Sequence, residues 1–219
     1  MAPIIEVSDE VLEGMNKLKI PYVIPSKKFK ETNDFIQIPS GLWVTKQRTL
    51  LNSNWNQCQE QLHSENSKML TIPEFREFLN YTKINIPEIY SEITEVRNPW
   101  RAEWLDADFK FENNELFVYS SVFENNKIVN KKEKLVENTL MKDKTPGISL
   151  DSWLKDSTKQ GLPKKDVNSG SLYYWHPMKD NNSVARIDAN NGRANLNCNR
   201  DSSDRDSNLG VRAVKLAGQ

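Results

Sequence analysis

The sequence predicts a single α+β domain. Apolar residues recur at helical spacing in the first hundred residues, whereas alternating strands separated by Asn-containing turns dominate the rest of the chain. No long Gly, Ser or Pro linker and no internal repeat divides the 219 residues, and a chain of this length suits one ordinary domain. We therefore expect helices and sheets packed around a common core across residues 1–219.

The chain is predicted to begin with an extension over residues 1–34. Ser8 can cap a first amphipathic helix, and a strand follows at residues 20–25. Residues 35–45 have the pattern of two further strands, separated by the turn residues Pro39, Ser40 and Gly41.

Three more helices are predicted before residue 100. The first starts after Ser53, the second at a capping box formed by Thr71 and Glu74, and the third after Pro87. The apolar residues expected on their buried faces are Trp55, Cys58 (or Gln59) and Leu62; Phe75, Phe78 and Leu79; and Ile86, Ile89, Tyr90 and Ile93.

Strands are predicted to dominate after residue 100. An Asn-Asn pair at 113–114 predicts a hairpin between strands at 102–111 and 116–123, because Asn tolerates positive φ, and a second pair at 125–126 predicts the next turn. One more helix, capped by Ser149, interrupts the strands. The remaining strands are expected at 171–175, at 183–189 and, as a buried closing strand, at 209–216.

The charge composition argues against a nucleic-acid or membrane partner. Thirty basic and thirty acidic residues give a net charge of zero, and the charged run at 131–134 predicts a solvated sheet edge. No apolar run approaches the roughly 18 residues of a membrane-spanning helix, and the N-terminus lacks the pattern of a secretory signal. We expect cytoplasmic synthesis without membrane insertion; any display on a virion or cell surface would run through other proteins.

No catalytic or metal-binding motif is found in the sequence. Cys58 and Cys198 are too few for a disulfide framework and too far apart for a metal knuckle, so two buried free thiols are favoured over one disulfide. His176 could line a pocket but is interpreted as a loop imidazole rather than a catalytic base. Arg101 and Arg212 are each expected to pair with a buried acid. The sequence predicts neither a cofactor nor a metal.

The most unusual composition is found in residues 181–208, which we call the Asn-rich segment. Eight of its 28 residues are Asn, and it contains no Lys, Glu, Gln, Met or Trp, although Lys and Glu are abundant upstream. Residues 194–199 alternate strictly between small or apolar and polar, which predicts a strand with two different faces. The predicted inward row is Ala194, Leu196 and Cys198, and the predicted outward row is Asn195, Asn197 and Asn199. Because Asn is depleted from strands, the composition favours an interaction surface over an inert coat.

Six segments of the sequence match the pattern of one family. They are Thr71-Ile72-Pro73-Glu74-Phe75, Pro99-Trp100-Arg101-Ala102-Glu103-Trp104-Leu105-Asp106-Ala107, Tyr174-Trp175-His176-Pro177, Asn182-Ser183-Val184-Ala185-Arg186-Ile187, Ala194-Asn195-Leu196-Asn197-Cys198-Asn199-Arg200 and Leu209-Gly210-Val211-Arg212-Ala213-Val214. On these segments, from about residue 35 to residue 216, the chain resembles the variable proteins of diversity-generating retroelements. These are phage, bacterial and archaeal proteins with a C-type lectin fold.

The resemblance implies both a fold and an origin for the unusual composition. In this family an error-prone reverse transcriptase alters adenines in a copied repeat, so that codons of the type AAC vary at their first two bases. Such codons cannot become codons for Lys, Glu, Gln, Met or Trp, the five residue types missing from the Asn-rich segment. The resemblance therefore implies a variable region at 174–208 on a C-type-lectin-like domain of the formylglycine-generating-enzyme-like branch, with helices flanking short antiparallel sheets.

The departures from related families limit what the resemblance implies. The Glu-Pro-Asn and Trp-Asn-Asp motifs of calcium-dependent sugar lectins are absent, and the cysteine pair of formylglycine-generating enzymes has no equivalent. Neither a calcium site, nor sugar recognition, nor enzyme activity is therefore implied. Two alternatives stay open: a formylglycine-generating-like oxidoreductase that uses a cysteine or a metal, and a static viral attachment or structural protein.

The resemblance implies that a macromolecular ligand, expected to be a protein, binds to solvent-facing side chains of the variable region. The oligomeric state is left open. The implied contact residues are Tyr174, His176, Asp188, Asn190, Asn191, Arg193, Asn195, Asn197, Asn199, Arg200, Asp204 and Asp206. The implied fixed framework beneath them is Trp175, Val184, Ile187, Leu196, Cys198 and Val211.

Overall fold

A computed structural model of the chain describes residues Val11, Gly14, Lys17 and Leu18 and the ranges 32–179 and 182–216. Val11, Gly14 and Lys17 are helical, in agreement with the helix expected after Ser8, and Val11 and Leu18 are exposed. The rest of that predicted helix and the strand predicted at 20–25 lie outside the described residues.

Helices and strands both contribute to the described fold, so the predicted α+β class is confirmed. The helices are α1 (Trp55–Ser64), α2 (Ile72–Asn85), α3 (Pro87–Thr94) and α4 (Leu150–Lys155), with a 3-10 helix at Glu137–Thr139. The strands are β1 (Phe35–Gln37), β2 (Trp43–Thr45), β3 (Lys68–Met69), β4 (Arg101–Glu112), β5 (Glu115–Glu124), β6 (Lys127–Lys134), β7 (Lys144–Ile148), β8 (Leu172–Trp175), β9 (Ser183–Ala189), β10 (Ala194–Asp201), β11 (Leu209–Gly210) and β12 (Ala213–Lys215).

The strands form two sheets in the described part of the chain. The larger sheet has the order β6-β5-β4-β9-β10-β8-β7, with β11 paired to β4 beside this path, and the smaller sheet has the order β1-β2-β12-β3. The expectation of short antiparallel sheets is wrong for the larger sheet. Strand β8 runs parallel to β10 and β11 runs parallel to β4, while β4 and β5 are 12 and 10 residues long.

The predicted starts of α1, α2 and α3 are confirmed. The Thr71 hydroxyl accepts the backbone N–H of Glu74, and the Glu74 carboxylate accepts the backbone N–H of Thr71 at 2.8 Å, so both halves of the capping box are present. Helix α1 is capped by Asn54 and buries Cys58 rather than Gln59. Pro87 occupies the first turn of α3, where its missing N–H leaves no helical bond unmade.

The Asn-Asn pairs form the predicted hairpin turns. Asn113 and Asn114 have φ values of 50° and 64°, and Asn125 and Asn126 have values of 51° and 62°. Asn adopts this left-handed region at lower cost than most residues because its short side chain can hydrogen-bond locally. The turns connect β4 to β5 and β5 to β6, which places the charged strand β6 at the solvated edge of the larger sheet, as predicted.

The single closing strand predicted at 209–216 is wrong, because two short strands in different sheets replace it. Strand β11 pairs with β4 in the larger sheet, whereas β12 pairs with β2 and β3 in the smaller one. Between them, the backbone N–H and C=O of Val211 both bond to Thr49, at 3.0 and 2.7 Å. These two bonds lie where the chain passes from the larger sheet to the smaller one, so the C-terminal segment joins the two sheets.

A buried ionic cluster confirms the expected pairing of Arg101 and Arg212 with acids. The Glu103 carboxylate lies 3.2 Å from the Arg101 guanidinium and 3.0 Å from that of Arg212, and Arg212 also contacts Glu92 of α3 at 2.6 Å. Burial opposes ionisation of Glu103, but the guanidinium groups of Arg101, Arg212 and Arg48 outweigh it and lower the pKa of Glu103. The cluster therefore ties α3 and the segment between β11 and β12 to the larger sheet.

Two apolar cores lie on opposite faces of the larger sheet. The larger core contains the apolar faces of α2, α3 and α4, and the smaller core contains Trp55, Cys58 and Leu62 of α1. Strand β9 serves both cores, because Ile187 packs in the larger one and Val184 in the smaller one. The Asn-rich segment therefore continues a sheet that is covered on both faces.

Candidate functional site

Strands β9 and β10 carry most of the Asn-rich segment, and their side chains divide between the two faces of the larger sheet. Leu196 and Cys198 of the predicted inward row lie in the larger core. On the opposite face, the antiparallel register sets Asn195 beside Asp188 and Asn197 beside Arg186. These four side chains form a contiguous group, which we call the polar layer: Arg186, Asp188, Asn195 and Asn197.

The Asp188 carboxylate is the centre of the polar layer. The side-chain amides of Asn195 and Asn197 donate to its two oxygens, each at 2.6 Å. The Arg186 guanidinium lies 3.2 Å from the second oxygen. Asp188 is 4% exposed, so its charge depends on these three donors rather than on water.

The Arg186 guanidinium links the polar layer to two tryptophan rings, Trp104 in the neighbouring strand β4 and Trp100 immediately before it. Its carbon lies 5.4 Å from the ring centroid of Trp100 and 5.8 Å from that of Trp104, within the range of cation–π attraction. Burial lowers the pKa of Arg186, and the carboxylates of Asp188 and Asp204 partly offset this effect. These contacts fix the Arg186 guanidinium in place as a positively charged part of the framework.

The predicted solvent exposure of this row is wrong for Asn195 and Asn197. They are 4% and 0% exposed, because the face opposite the larger core is itself covered. Strict alternation distinguishes the two faces of a strand but does not show whether the polar face meets water or a buried network. Here the polar face is satisfied internally, and Asp188, also predicted as a solvent-facing contact, is its buried acceptor.

The predicted faces of strand β8 are reversed. Tyr174 was expected to contact ligand, but it lies in the larger core with 0% exposure, and burial raises its pKa well above the usual value. Trp175 was expected in the framework, yet it is half-buried on the face of the polar layer. The cause is the parallel pairing of β8 with β10, which sets Tyr174 beside Leu196, Tyr173 beside Asn195 and Trp175 beside Asn197.

Five partly or fully exposed side chains border the polar layer, and we call them the rim: Tyr173, Trp175, Arg193, Arg200 and Asp204. The Trp175 indole N–H and the Arg193 Nε both point to the Asn195 oxygen, at 3.5 and 3.1 Å. The Arg200 guanidinium lies 3.4 Å from the Asn197 oxygen, and the Asp204 carboxylate lies 3.4 Å from the Arg186 guanidinium. The rim is thus positioned by the buried layer.

A β-bulge and a cation–π contact set the direction of the two rim arginines. The register shifts between Asn197 and Arg200, so Arg200 lies opposite Val184 and shares the face of Arg186. The Arg193 guanidinium carbon lies 4.7 Å from the Tyr173 ring centroid. Strict alternation would have placed Asn199 rather than Arg200 on this face; instead Asn199 lies at the bulge, half-buried.

The other predicted contacts lie around the rim or away from it. Asn190 shapes the β9–β10 turn, because its side-chain oxygen accepts the backbone N–H groups of Gly192 and Arg193 at 2.9 and 3.1 Å, while Asn191 is exposed at the tip. Asp206 accepts the backbone N–H of Asn208 at 2.8 Å in the loop before β11. His176 follows β8 and borders a different groove.

The two cysteines are free and buried, as predicted. Burial raises the pKa of Cys58 to about 12 and raises that of Cys198 further, so both thiols stay protonated near neutral pH. Among the residues that the structure describes, no group of three or more His, Cys, Asp or Glu side chains is arranged to hold a metal ion. Within the same residues, no helix has the length and apolar character needed to cross a membrane.

Comparison of the chain with family models, with curated proteins and with solved structures finds no significant match.

Proposed function

We propose that this protein is a ligand-binding protein of the diversity-generating-retroelement type, which presents the rim and the adjoining turn as a diversifiable contact surface on a C-type-lectin-like scaffold. The expected ligand is a macromolecule, and the chemistry of the rim favours a protein. The polar layer beneath the rim acts as fixed support.

One observation carries the proposal: the Asn-rich segment lacks the five residue types that an AAC-type codon cannot reach, and the same segment supplies three of the five rim residues. Those three are Arg193, Arg200 and Asp204, all of them partly or fully exposed. An ordinary solvated surface would use Lys and Glu, which are frequent elsewhere in the chain.

The division between layer and rim supports diversification with little cost in stability. Substitutions at exposed positions away from special features usually change the free energy of unfolding by less than about 0.5 kcal/mol. The buried amides of Asn195 and Asn197 do not meet this condition, whereas Asn191 at the exposed turn does. We therefore expect natural variation at the turn and at the rim residues of the Asn-rich segment, with Asn195 and Asn197 retained.

The chemistry of the rim also resembles that of binding surfaces. Tyr, Trp and Arg are the residue types most enriched at protein interfaces, and Tyr173, Trp175, Arg193 and Arg200 lie together beside one buried network. Trp175 cannot arise from an AAC-type codon, so we expect it to be a constant aromatic anchor beside variable neighbours. The burial and raised pKa of both thiols support binding over the alternative of a thiol-dependent oxidoreductase.

Sequencing the 3′ end of this gene across its natural population, with the flanking DNA, tests the proposal. We expect substitutions confined to AAC-type codons of the 174–208 region, concentrated at Arg193, Arg200, Asp204 and Asn191, beside a near-copy of the repeat. Uniform sequence, or substitutions spread evenly over the gene, would reject diversification and leave a static attachment protein as the better description.

A further inference from the structure

A concave surface apart from the rim lies where the chain leaves strand β8. It is a groove of about 850 Å³ between residues 137–143, which include the 3-10 helix, and residues 176–179, with Lys165 beside them. We call it the lysine groove. None of its lining residues belongs to the polar layer or the rim, so its function would be separate from the one proposed above.

Hydrogen bonds hold both walls of the lysine groove in place. The backbone N–H of Lys165 donates to the carbonyl of Thr139 at 3.1 Å, and that of Met141 donates to Pro163 at 3.0 Å, which fixes the first wall. The backbone N–H of His176 donates to the Asp143 carboxylate at 2.7 Å, which connects the second wall to the first. A preformed groove costs less conformational entropy on binding than one that must be ordered by its ligand.

The charges of the lysine groove are unbalanced. Glu137 is paired with Lys179 at 2.9 Å, and Asp143 accepts the N–H of His176. Lys142 and Lys165 are both exposed, and within the part of the chain that the structure describes neither forms an ion pair. Among the lining residues that the structure describes, three are lysines and two are acids, and this excess of positive charge favours an anionic ligand.

The groove also contains apolar surface. Its lining includes Leu140 and Pro177, which are buried, and Met178, which is 44% exposed. Met is an adaptable contact because its unbranched side chain can repack around differently shaped partners. A simple inorganic anion would leave this surface unused, whereas a peptide can place one apolar side chain on it and carboxylates near the lysines.

We propose that the lysine groove binds an extended acidic peptide segment of a partner protein, with an apolar side chain on Met178 and carboxylates paired to Lys142 and Lys165. This site is separate from the diversifiable rim. It would give the protein a separate attachment point for a partner while the rim contacts ligand.

Fluorescence anisotropy with a labelled peptide of alternating Glu and Leu tests the proposal on the full chain. The double variant Lys142→Glu/Lys165→Glu should weaken binding about tenfold or more, and added salt should weaken it in the wild type. The matched control is Lys127→Glu/Lys155→Glu, which changes the net charge equally at two exposed lysines outside the groove. It should bind within about twofold of the wild type, and circular dichroism should show that both variants are folded.

Two further measurements separate the possible ligands. Met178→Ala should weaken binding of the Glu-Leu peptide but not of a peptide that contains only Glu and Gly. Absence of peptide binding, equal weakening in both double variants, or tighter binding of a single-stranded oligonucleotide than of the peptide would each overturn the proposal. None of these outcomes depends on whether the rim is diversified, so the two proposals can fail separately.

Discussion

Replacing Asn197 by alanine removes one donor from the Asp188 carboxylate without altering the strand that carries it. In the wild type the Asn197 amide donates to Asp188 at 2.6 Å, and its own oxygen lies 3.4 Å from the Arg200 guanidinium. In the variant, the same Asp188 oxygen would keep only the contact with Arg186 at 3.2 Å. The perturbation is therefore confined to the polar layer and one rim residue.

The expected loss of stability follows from the charge and burial of the acceptor. A hydrogen bond to a charged group contributes about 1.5–3 kcal/mol, and Asp188 is too buried for water to replace the lost donor. We therefore expect Asn197→Ala to lower the free energy of unfolding by about 2 kcal/mol. For a chain of this size that corresponds to a Tm lower by about 4–8 °C.

Urea denaturation of the Asn197→Ala variant, with Asn191→Ala as the control, measures this loss. Asn191 is the same residue type at an exposed turn, so its replacement should change the free energy of unfolding by less than about 0.5 kcal/mol. A double-mutant cycle of Asn197→Ala with Asp188→Asn should show a coupling energy of about 1 kcal/mol or more. An Asn197→Ala variant as stable as the Asn191 control, or a cycle without coupling, would refute a structural role for the layer.

Three other predictions concern buried groups. Burial raises the pKa of Asp106 to about 6, against the attraction of Lys68 and hydrogen bonds from Ser121 and Gln59. The folded state therefore binds this proton more tightly than the unfolded state, so the free energy of unfolding should fall by about 3 kcal/mol in total between a pH well below 4 and a pH well above 6. Urea titrations over this range should show a smaller slope for Asp106→Asn, and an unchanged slope would assign the titration to another group. Leu196→Ala should cost about 2–5 kcal/mol, because Leu196 is fully buried in the larger core; a neutral result in thermal melts would contradict that packing. The two cysteine thiols should react with a thiol reagent only after the protein has unfolded. Rapid labelling of Cys198 in the folded state would contradict its burial.

Local signals were sufficient for most secondary-structure elements. The capping box at Thr71, the start of α3 at Pro87 and the positive-φ Asn pairs each act within a few residues, so their outcome does not depend on distant partners. The inward direction of Leu196 and Cys198 is also local, because alternate side chains of a strand point to opposite faces. The pairing of Arg101 and Arg212 with acids was predictable because a buried guanidinium needs a counter-charge.

Long-range pairing decided what local signals could not. The parallel partner of β8 determines that Tyr173 and Trp175, not Tyr174, lie on the face of the polar layer. The bulge in β10 places Arg200 on that face. Because other parts of the chain cover the face, Asn195 and Asn197 form a buried network around Asp188 rather than an exposed row. A strand's own sequence sets the alternation of its side chains. Its register, its pairing partner and the burial of each of its faces depend on segments far away in the chain. The composition of the Asn-rich segment thus came from the sequence alone, and the division between buried layer and exposed rim required the tertiary structure.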